Sequence, residues 1–361
     1  MRRRILWLVL GLVLPTAGAA SAAQVHPDLL RGNPLEAMYF SNPVLGPGQD
    51  PSVTVVNGWY YLVQSSPDTS YITVRRSRSI KSLAAAVKHV VWRGGRSGSP
   101  CCEWWAPELH TVNGRWYIYT TADDGNNDNH RLQVLSARSP LGPYSYKGEL
   151  ATPGDTWSID PSPLQLPNGQ LFLFWSGWPG TVNGIQNIYI AALKNPWTVS
   201  SDRTLLSSPT EAWERFPNPG NPPVYVNESP EPIIHGSTVS VTYSGSGCFT
   251  PNYSLGLLSA RVGSNLLDAR SWTKSANPIF QSNPAADIFG PASNGFFVSP
   301  NGRETWIAFH GVNDSAGNCG LERDIYAQRV HWNADGTPNL GGKPLPMIHA
   351  FRVPAGDPGA P

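Results

Sequence analysis

Apolar residues recur in short runs of four to seven, separated by tight turn formers rather than long polar spacers. Asn57-Gly58 is followed by Trp59-Tyr60-Tyr61-Leu62-Val63, Asn113-Gly114 precedes Trp116-Tyr117-Ile118-Tyr119, and Asn168-Gly169 precedes Leu171-Phe172-Leu173-Phe174-Trp175. His235-Gly236 leads into Val239-Ser240-Val241-Thr242-Tyr243, and Asn301-Gly302 into Trp306-Ile307-Ala308-Phe309. These glycines are 56, 55, 67 and 66 residues apart. Asn-Gly between β-prone runs marks a hairpin, because both residues tolerate positive φ. A further strand-like run follows each hairpin: 71–74, 132–137, 188–193, 255–260 and 325–332. Each repeat therefore predicts an antiparallel meander of three or more strands. Such a meander cannot bury both of its own faces and must stack against its neighbours. The pattern predicts an all-β chain folded as a single five-bladed β-propeller over residues 24–353. A β-sandwich or a pair of β domains is the competing architecture.

Composition narrows this further. The 361 residues contain 35 Gly, 35 Pro and 14 Trp, and only 14% are charged, so turns are frequent and rings abundant. That composition excludes disorder and long helices. A formal charge of +1 offers nothing to a nucleic acid. Residues 1–23 read as a signal peptide, with Arg2-Arg3-Arg4, an apolar stretch from Ile5 to Leu14 too short for a bilayer, and small residues up to Ala23. The expectation is a secreted, extracellular protein, whose formal charge after loss of three Arg is −2. Outside the cell the four cysteines suggest disulfides, with Cys248 joined to Cys319 and Cys101-Cys102 either bridged or reduced. Residues 354–361 read as a disordered tail.

Three acids hold similar places in their repeats. Asp50 lies 8 residues before Gly58, Asp160 lies 9 before Gly169, and Glu228 lies 8 before Gly236. First strands line a propeller's axis, so the three carboxyls are expected to share one cleft. Like charges there repel and raise at least one pKa, which is characteristic of functional sites. A raised and an unraised carboxyl side by side are what glycoside hydrolysis requires. A single acid beside Pro more often just opens a strand, but three in register favour chemistry.

The runs Gln49-Asp50-Pro51-Ser52-Val53, Trp105-Ala106-Pro107-Glu108-Leu109-His110, Ser158-Ile159-Asp160-Pro161 and Val226-Asn227-Glu228-Ser229-Pro230 resemble successive motifs of glycoside hydrolase family 43. Ala212-Trp213-Glu214-Arg215, Tyr243-Ser244-Gly245-Ser246-Gly247-Cys248, Leu255-Gly256-Leu257-Leu258 and 332–338 resemble its exported α-L-arabinofuranosidases. The resemblance covers roughly residues 40–345. It implies Asp50 as general base, Glu228 as general acid, and Asp160 as the residue that orients Glu228 and tunes its pKa. It also implies inversion of configuration, with about 6.5–9.5 Å between base and acid to admit a water.

Two positions depart from the family pattern. Gly290-Pro291-Ala292-Ser293-Asn294 places Ser293 where the family carries a His that helps hold a central cation, which leaves that structural cation open; no metal ligand is assigned, and no cofactor is expected to be required. Ser229 follows the acid where Gly is common. Substrate contacts are expected from Trp105, Trp175, Glu108 and Arg323, with Trp104, Trp178 and Trp213 as further rings near motif ends. The Pro- and Asn-rich segment 217–223 is expected to wall the cleft. The function expected is release of L-arabinofuranose from arabinan- or arabinoxylan-type plant polysaccharide by a monomer, with no nucleic-acid or membrane partner. β-Xylosidase or endo-arabinanase action on the same carboxylates is the alternative within the enzyme class. A non-catalytic carbohydrate-binding propeller is the alternative outside it.

Overall fold

The computed structural model describes residues 36–220 and 222–359, so the expected leader at 1–23 lies outside the described residues. The described residues are all-β, their helices being single 3₁₀ turns. Five antiparallel units follow one another. The first comprises Ser52–Val56, Trp59–Ser65, Tyr71–Ser77 and Lys88–Arg93, and the second Cys102–Val112, Arg115–Asp123, Arg131–Ala137 and Ser145–Glu149. In the third, Ser158–Gln165, Leu171–Gly177 and Ile185–Asn195 are edged by Thr198–Val199 and Thr204–Ser207. The fourth runs Tyr225–His235, Thr238–Gly245, Ser254–Arg261 and Thr273–Lys274, and the fifth Phe289–Val298, Thr305–Val312, Asp324–Trp332 and Pro338–Asn339. A parallel bridge, Ile185 to Tyr225 and Gln186 to Val226, ties units three and four.

The turns explain the register. Asn57-Gly58 (φ 52° and 71°) and Asn113-Gly114 (φ 51° and 74°) close two-residue hairpins, pairing Val56 with Trp59 and Val112 with Arg115. At Gly169 and Gly302 only the glycine has positive φ, and the turns are longer, closed by Leu166 N–H to Gln170 O and Ser299 N–H to Glu304 O.

Apolar faces are buried between units rather than within them. Val63, Ile72 and Val74 of unit one pack on Leu109, Trp116 and Ile118 of unit two. Tyr119 and Leu132 pack on Leu173 and Trp175 of unit three, and Phe174 and Ile190 on Val241 and Leu258 of unit four. Leu255 meets Ile307 and Phe309 of unit five, and Phe297, Trp306 and Ala308 of unit five meet Val53, Tyr60 and Leu62 of unit one. This last cluster also takes in Phe40 and Phe351, from the short pair formed by Tyr39–Phe40 and Phe351–Arg352.

One expectation is corrected at the C-terminal end. Residues 354–359 are packed rather than disordered: Asp357 is buried, and its carboxylate accepts hydrogen bonds from the Ile80 and Gly359 amides. A buried amide such as that of Ile80 needs a partner, and the tail supplies it.

Candidate functional site

Each unit places a left-handed non-glycine residue at a matching point near the start of its first strand: Asp50 (φ 44°), Ala106 (41°), Asp160 (54°), Ser229 (49°) and Ser293 (46°), with Glu103 (50°) a second in unit two. In units two to five the strand register breaks at that point, as between Ile159 and Ser162 and between Glu228 and Glu231. Four of the five residues precede Pro, which disfavours helical geometry at the preceding residue. Non-glycine residues in this conformation cost of order 1–3 kcal/mol each and cluster at functional sites. The bulge re-aims side chains out of the strand alternation. It also shows that Asp50 and Asp160 occupy equivalent positions, whereas Glu228 sits one residue earlier, next to the equivalent Ser229.

The three acids line one cavity of about 540 Å³, together with Gln49, Trp105, Trp157, Tyr253, Ser293 and Arg323. That volume suits a small ligand. Asp50 Oδ1 lies 3.2 Å from His310 Nδ1 and 3.5 Å from Arg323 Nη1. Burial opposes ionisation of Asp50, but the Arg323 guanidinium and the His310 hydrogen bond outweigh it and hold the carboxyl well below the usual range. Arg323 is itself fixed by Gln49 Oε1 and, through Nε, by Gly320 O at 3.0 Å.

The other two acids are shifted the opposite way. Burial first, then the charge of Asp160, pushes Glu228 up to about 8, even though Tyr253 Oη donates to Glu228 Oε1 at 2.8 Å. Burial and the charge of Asp50 push Asp160 up to about 7. Asp160 Oδ2 accepts from Ser229 N at 3.0 Å and Ser229 Oγ at 3.1 Å, which fixes the backbone immediately after Glu228. The cavity thus holds one carboxyl kept ionised and one kept protonated near neutral pH.

Among the expected substrate contacts, Trp105 and Arg323 reach the cavity, and Trp105 is stacked on the His130 ring at 4.0 Å. Trp175 does not. It is fully buried between units two and three and stacked on Tyr189, because both faces of its strand are covered. Trp104 is likewise fully buried in the core between units one and two, and Trp178 is buried against Trp157. Glu108 sits beneath the site, beside a smaller cavity shared with Asp160, Glu231 and Ser293, and its Oε2 meets His110 Nε2 at 2.7 Å. Asn218 and Pro219 of the 217–223 segment line the main cavity as expected. The expected Cys248–Cys319 disulfide is present, and Cys101 and Cys102, left open between bridged and reduced, are joined to each other.

Sequence reasoning missed Tyr253 and His310. Neither was singled out for chemistry, and both act by proximity: Tyr253 on Glu228, His310 on Asp50, with the two rings stacked 5.8 Å apart. Ser293 Oγ lies 2.7 Å from Ser229 Oγ and 3.4 Å from Tyr253 Oη, while its amide donates to Ser244 Oγ. A hydroxyl committed in this way does not replace an imidazole ligand, so the residues at that position do not fit a His-held central cation. Elsewhere Glu103, Asp123 and His130 place ligand atoms within 4.8 Å of one another.

An all-β chain whose successive units enclose a pocket with one ionised and one protonated carboxyl has the makings of a glycoside hydrolase. The model of the glycosyl hydrolases family 43 matches residues 40–338, and the chain belongs to that family. It is 36% identical over 311 residues to an extracellular exo-α-(1→5)-L-arabinofuranosidase of Streptomyces avermitilis, a match covering 84% of this chain and 63% of that protein. An enzyme of the same description from Streptomyces chartreusis is 30% identical, with 83% of this chain and 90% of that protein covered. The crystal structure of an α-L-arabinofuranosidase from Lactobacillus brevis superposes with a TM-score of 0.77 at 31% identity, covering 85% and 98% of the two chains. The chain spans less than two thirds of the S. avermitilis protein and 64% of an α-L-arabinofuranosidase of Humicola insolens.

Proposed function

We propose that this chain is an exported, inverting exo-α-L-arabinofuranosidase, built as a single five-bladed β-propeller and active as a monomer on arabinan- or arabinoxylan-type polysaccharide. The observation that carries the reading is the opposed proton affinity of Asp50 and Glu228 across one cavity. The activities named for the relatives support the sugar, and the clusters joining each unit to the next, five to one included, support the propeller.

In this reading a terminal arabinofuranosyl ring enters the cavity and Trp105 borders it. Asp50, ionised beside Arg323 and His310, accepts a proton from water as the water oxygen bonds to the anomeric carbon. The glycosidic C–O bond breaks, and Glu228 gives its proton to the departing oxygen. Asp160 holds the Ser229 backbone that places Glu228, and its charge raises the affinity of Glu228 for that proton. No step passes through a cation.

The test is a panel of aryl glycosides and linear arabinan with the purified protein. Arabinose released from the α-L-arabinofuranoside, with little product from the β-D-xyloside and β-arabinose as the first anomer by proton NMR, is the expected result. Glu228→Gln should lower turnover of arabinan by about 10²–10⁴-fold. Arabino-oligosaccharide binding without turnover by the unaltered protein would replace this reading with a carbohydrate-binding one.

A further inference from the structure

Glu214 is fully buried, yet it lies outside the catalytic cavity. It ends the 3₁₀ turn Ala212–Glu214, in the connection between units three and four. The turn is pressed onto unit four: a Cβ on Gly245 would lie 2.5 Å from the Trp213 ring, and Ser246 Oγ donates to Trp213 O at 2.6 Å. Each oxygen of the Glu214 carboxylate has two partners. Oε2 accepts from Glu211 N at 2.8 Å and from Lys274 Nζ at 2.7 Å, and Lys274 also donates to Ser208 O at 2.7 Å. Oε1 accepts from Tyr243 Oη at 2.8 Å and from Asn227 Nδ2 at 3.1 Å.

Asn227 directly precedes Glu228, and the side-chain amide is held at every polar atom. Nδ2 donates to Glu214 Oε1 and to Val226 O, and Oδ1 accepts from Ser207 Oγ at 2.7 Å. Its backbone oxygen accepts from Ser176 Oγ at 2.9 Å. Ser176 and Ser207 belong to unit three and Lys274 to unit four, so Asn227 is pinned where the two units meet. On the other side of Glu228, Asp160 holds Ser229. The acid is therefore fixed from both neighbours. Neither Glu214 nor Asn227 lines the cavity, so neither meets the substrate. A buried ion pair is a weak source of stability, because desolvation offsets the attraction. What the Glu214–Lys274 pair supplies is a carboxylate oxygen at a fixed place in front of the Asn227 amide.

We propose that Glu214 is a positioning residue for the acid: anchored by Lys274, it fixes Asn227 and thereby aims Glu228 at the departing oxygen. This rests on the proposed function, in which Glu228 is the proton donor. The role concerns proton delivery alone, so it is felt by leaving groups that need a proton and not by those that depart without one.

The experiment compares kcat and KM on α-1,5-linked arabinobiose, whose departing oxygen must be protonated, with those on 2,4-dinitrophenyl α-L-arabinofuranoside, whose dinitrophenolate leaves without a proton. Glu214→Leu/Lys274→Met removes both charges and keeps the space filled. Its kcat on arabinobiose should fall about 10–10²-fold with KM little changed, while kcat on the dinitrophenyl substrate stays within about threefold of wild type. Glu214→Gln/Lys274→Met returns an acceptor oxygen to Asn227 and should recover most of the arabinobiose rate, which a general loss of packing would not allow. Asn227→Ala leaves the ion pair in place and should reproduce the selective loss, so the proposal stays testable where a charge-free variant fails to fold. Equal losses on the two substrates, or no loss on either, overturn the positioning role. A wild-type protein that cleaves neither substrate fails earlier, at the proposed function, and takes this role with it.

Discussion

Asp50 owes its ionised state to neighbours on other units: His310 from the second strand of unit five and Arg323 from the loop just before the third. Burial alone would have raised its pKa, so the two cations-in-waiting are not equivalent. The Arg323 guanidinium is always charged, whereas burial lowers the proton affinity of His310. Arg323 is therefore the group whose loss should be visible in a pH profile. Removing a cation about 3.5 Å from a carboxylate lets its pKa rise, by about 1–3 units for partners at this range. In Arg323→Met the acid limb of kcat/KM should move to higher pH by about that amount. The alkaline limb, set by Glu228 near 8, should move far less. Profiles of wild type and variant on one aryl arabinofuranoside check this. An acid limb that stays in place would mean that Asp50 is not the base, or that His310 holds it without help.

At the scale of elements, the first strands carry the site and the turns that follow them carry the sequence signal. The Asn-Gly pairs at 57–58 and 113–114 made the hairpins legible because only residues tolerant of positive φ close such turns. Counting back from the turn glycines located Asp50, Asp160 and Glu228, but it placed Glu228 in the same register as the other two. The count erred because Gly236 is the first residue of its two-residue turn, between His235 and Thr238, whereas Gly58 is the second of its own, and because the left-handed residue at each first strand leaves no mark beyond a following Pro in four of the five. Trp175 was misjudged for a related reason: every residue of Leu171–Gly177 is buried, so alternation cannot tell a core ring from a sugar contact. Gly295 marks a packing constraint that sequence also left silent. Its φ is unremarkable, yet a Cβ there would sit 2.6 Å from Pro51 O, where unit five meets unit one beside Asp50. Gly295→Ala should therefore push these strands apart, at a cost of about 1–3 kcal/mol. Activity should fall with it because Pro51 directly follows Asp50, the proposed base. Thermal denaturation and arabinofuranoside hydrolysis on the same preparation test this, and a variant with wild-type stability would show that the junction yields without strain.

Across the whole molecule, few charges are available to set how stability responds to pH. Only 14% of residues are charged and the formal charge is close to zero, so surface repulsion changes little near neutrality. The buried carboxyls then dominate. Burial raises Glu108 well above its ordinary value, while Asp160 rises to about 7 and Glu228 and Glu231 to about 8. In the unfolded chain these groups titrate near 4. Between roughly pH 4.5 and 8 these carboxyls therefore bind more protons in the folded state than in the unfolded one, and their contribution to stability falls as pH rises. Asp50 works in the other direction: its depressed pKa contributes stability above about pH 4 that is lost on further acidification. Burial lowers His110, His130 and His310, which bind protons near pH 6.5 only in the unfolded chain and so cost stability below that pH. The fall with rising pH is therefore clearest above about pH 6.5, and the thermal midpoint should be several degrees higher at pH 6.5 than at pH 8. Glu231→Gln isolates the effect away from the reacting groups. Glu231 is buried, raised first by burial and then by the charge of Glu108, and its oxygens accept from Phe296 N and Ser162 Oγ. A glutamine fits the same space without a charge to suppress, so the midpoint should drop less between pH 6.5 and 8 in this variant than in wild type. A wild-type midpoint that rises steadily from pH 6.5 to 8 would mean that the axial carboxyls are ionised and compensated in the folded state, and the protonated acid required of Glu228 would lose its support.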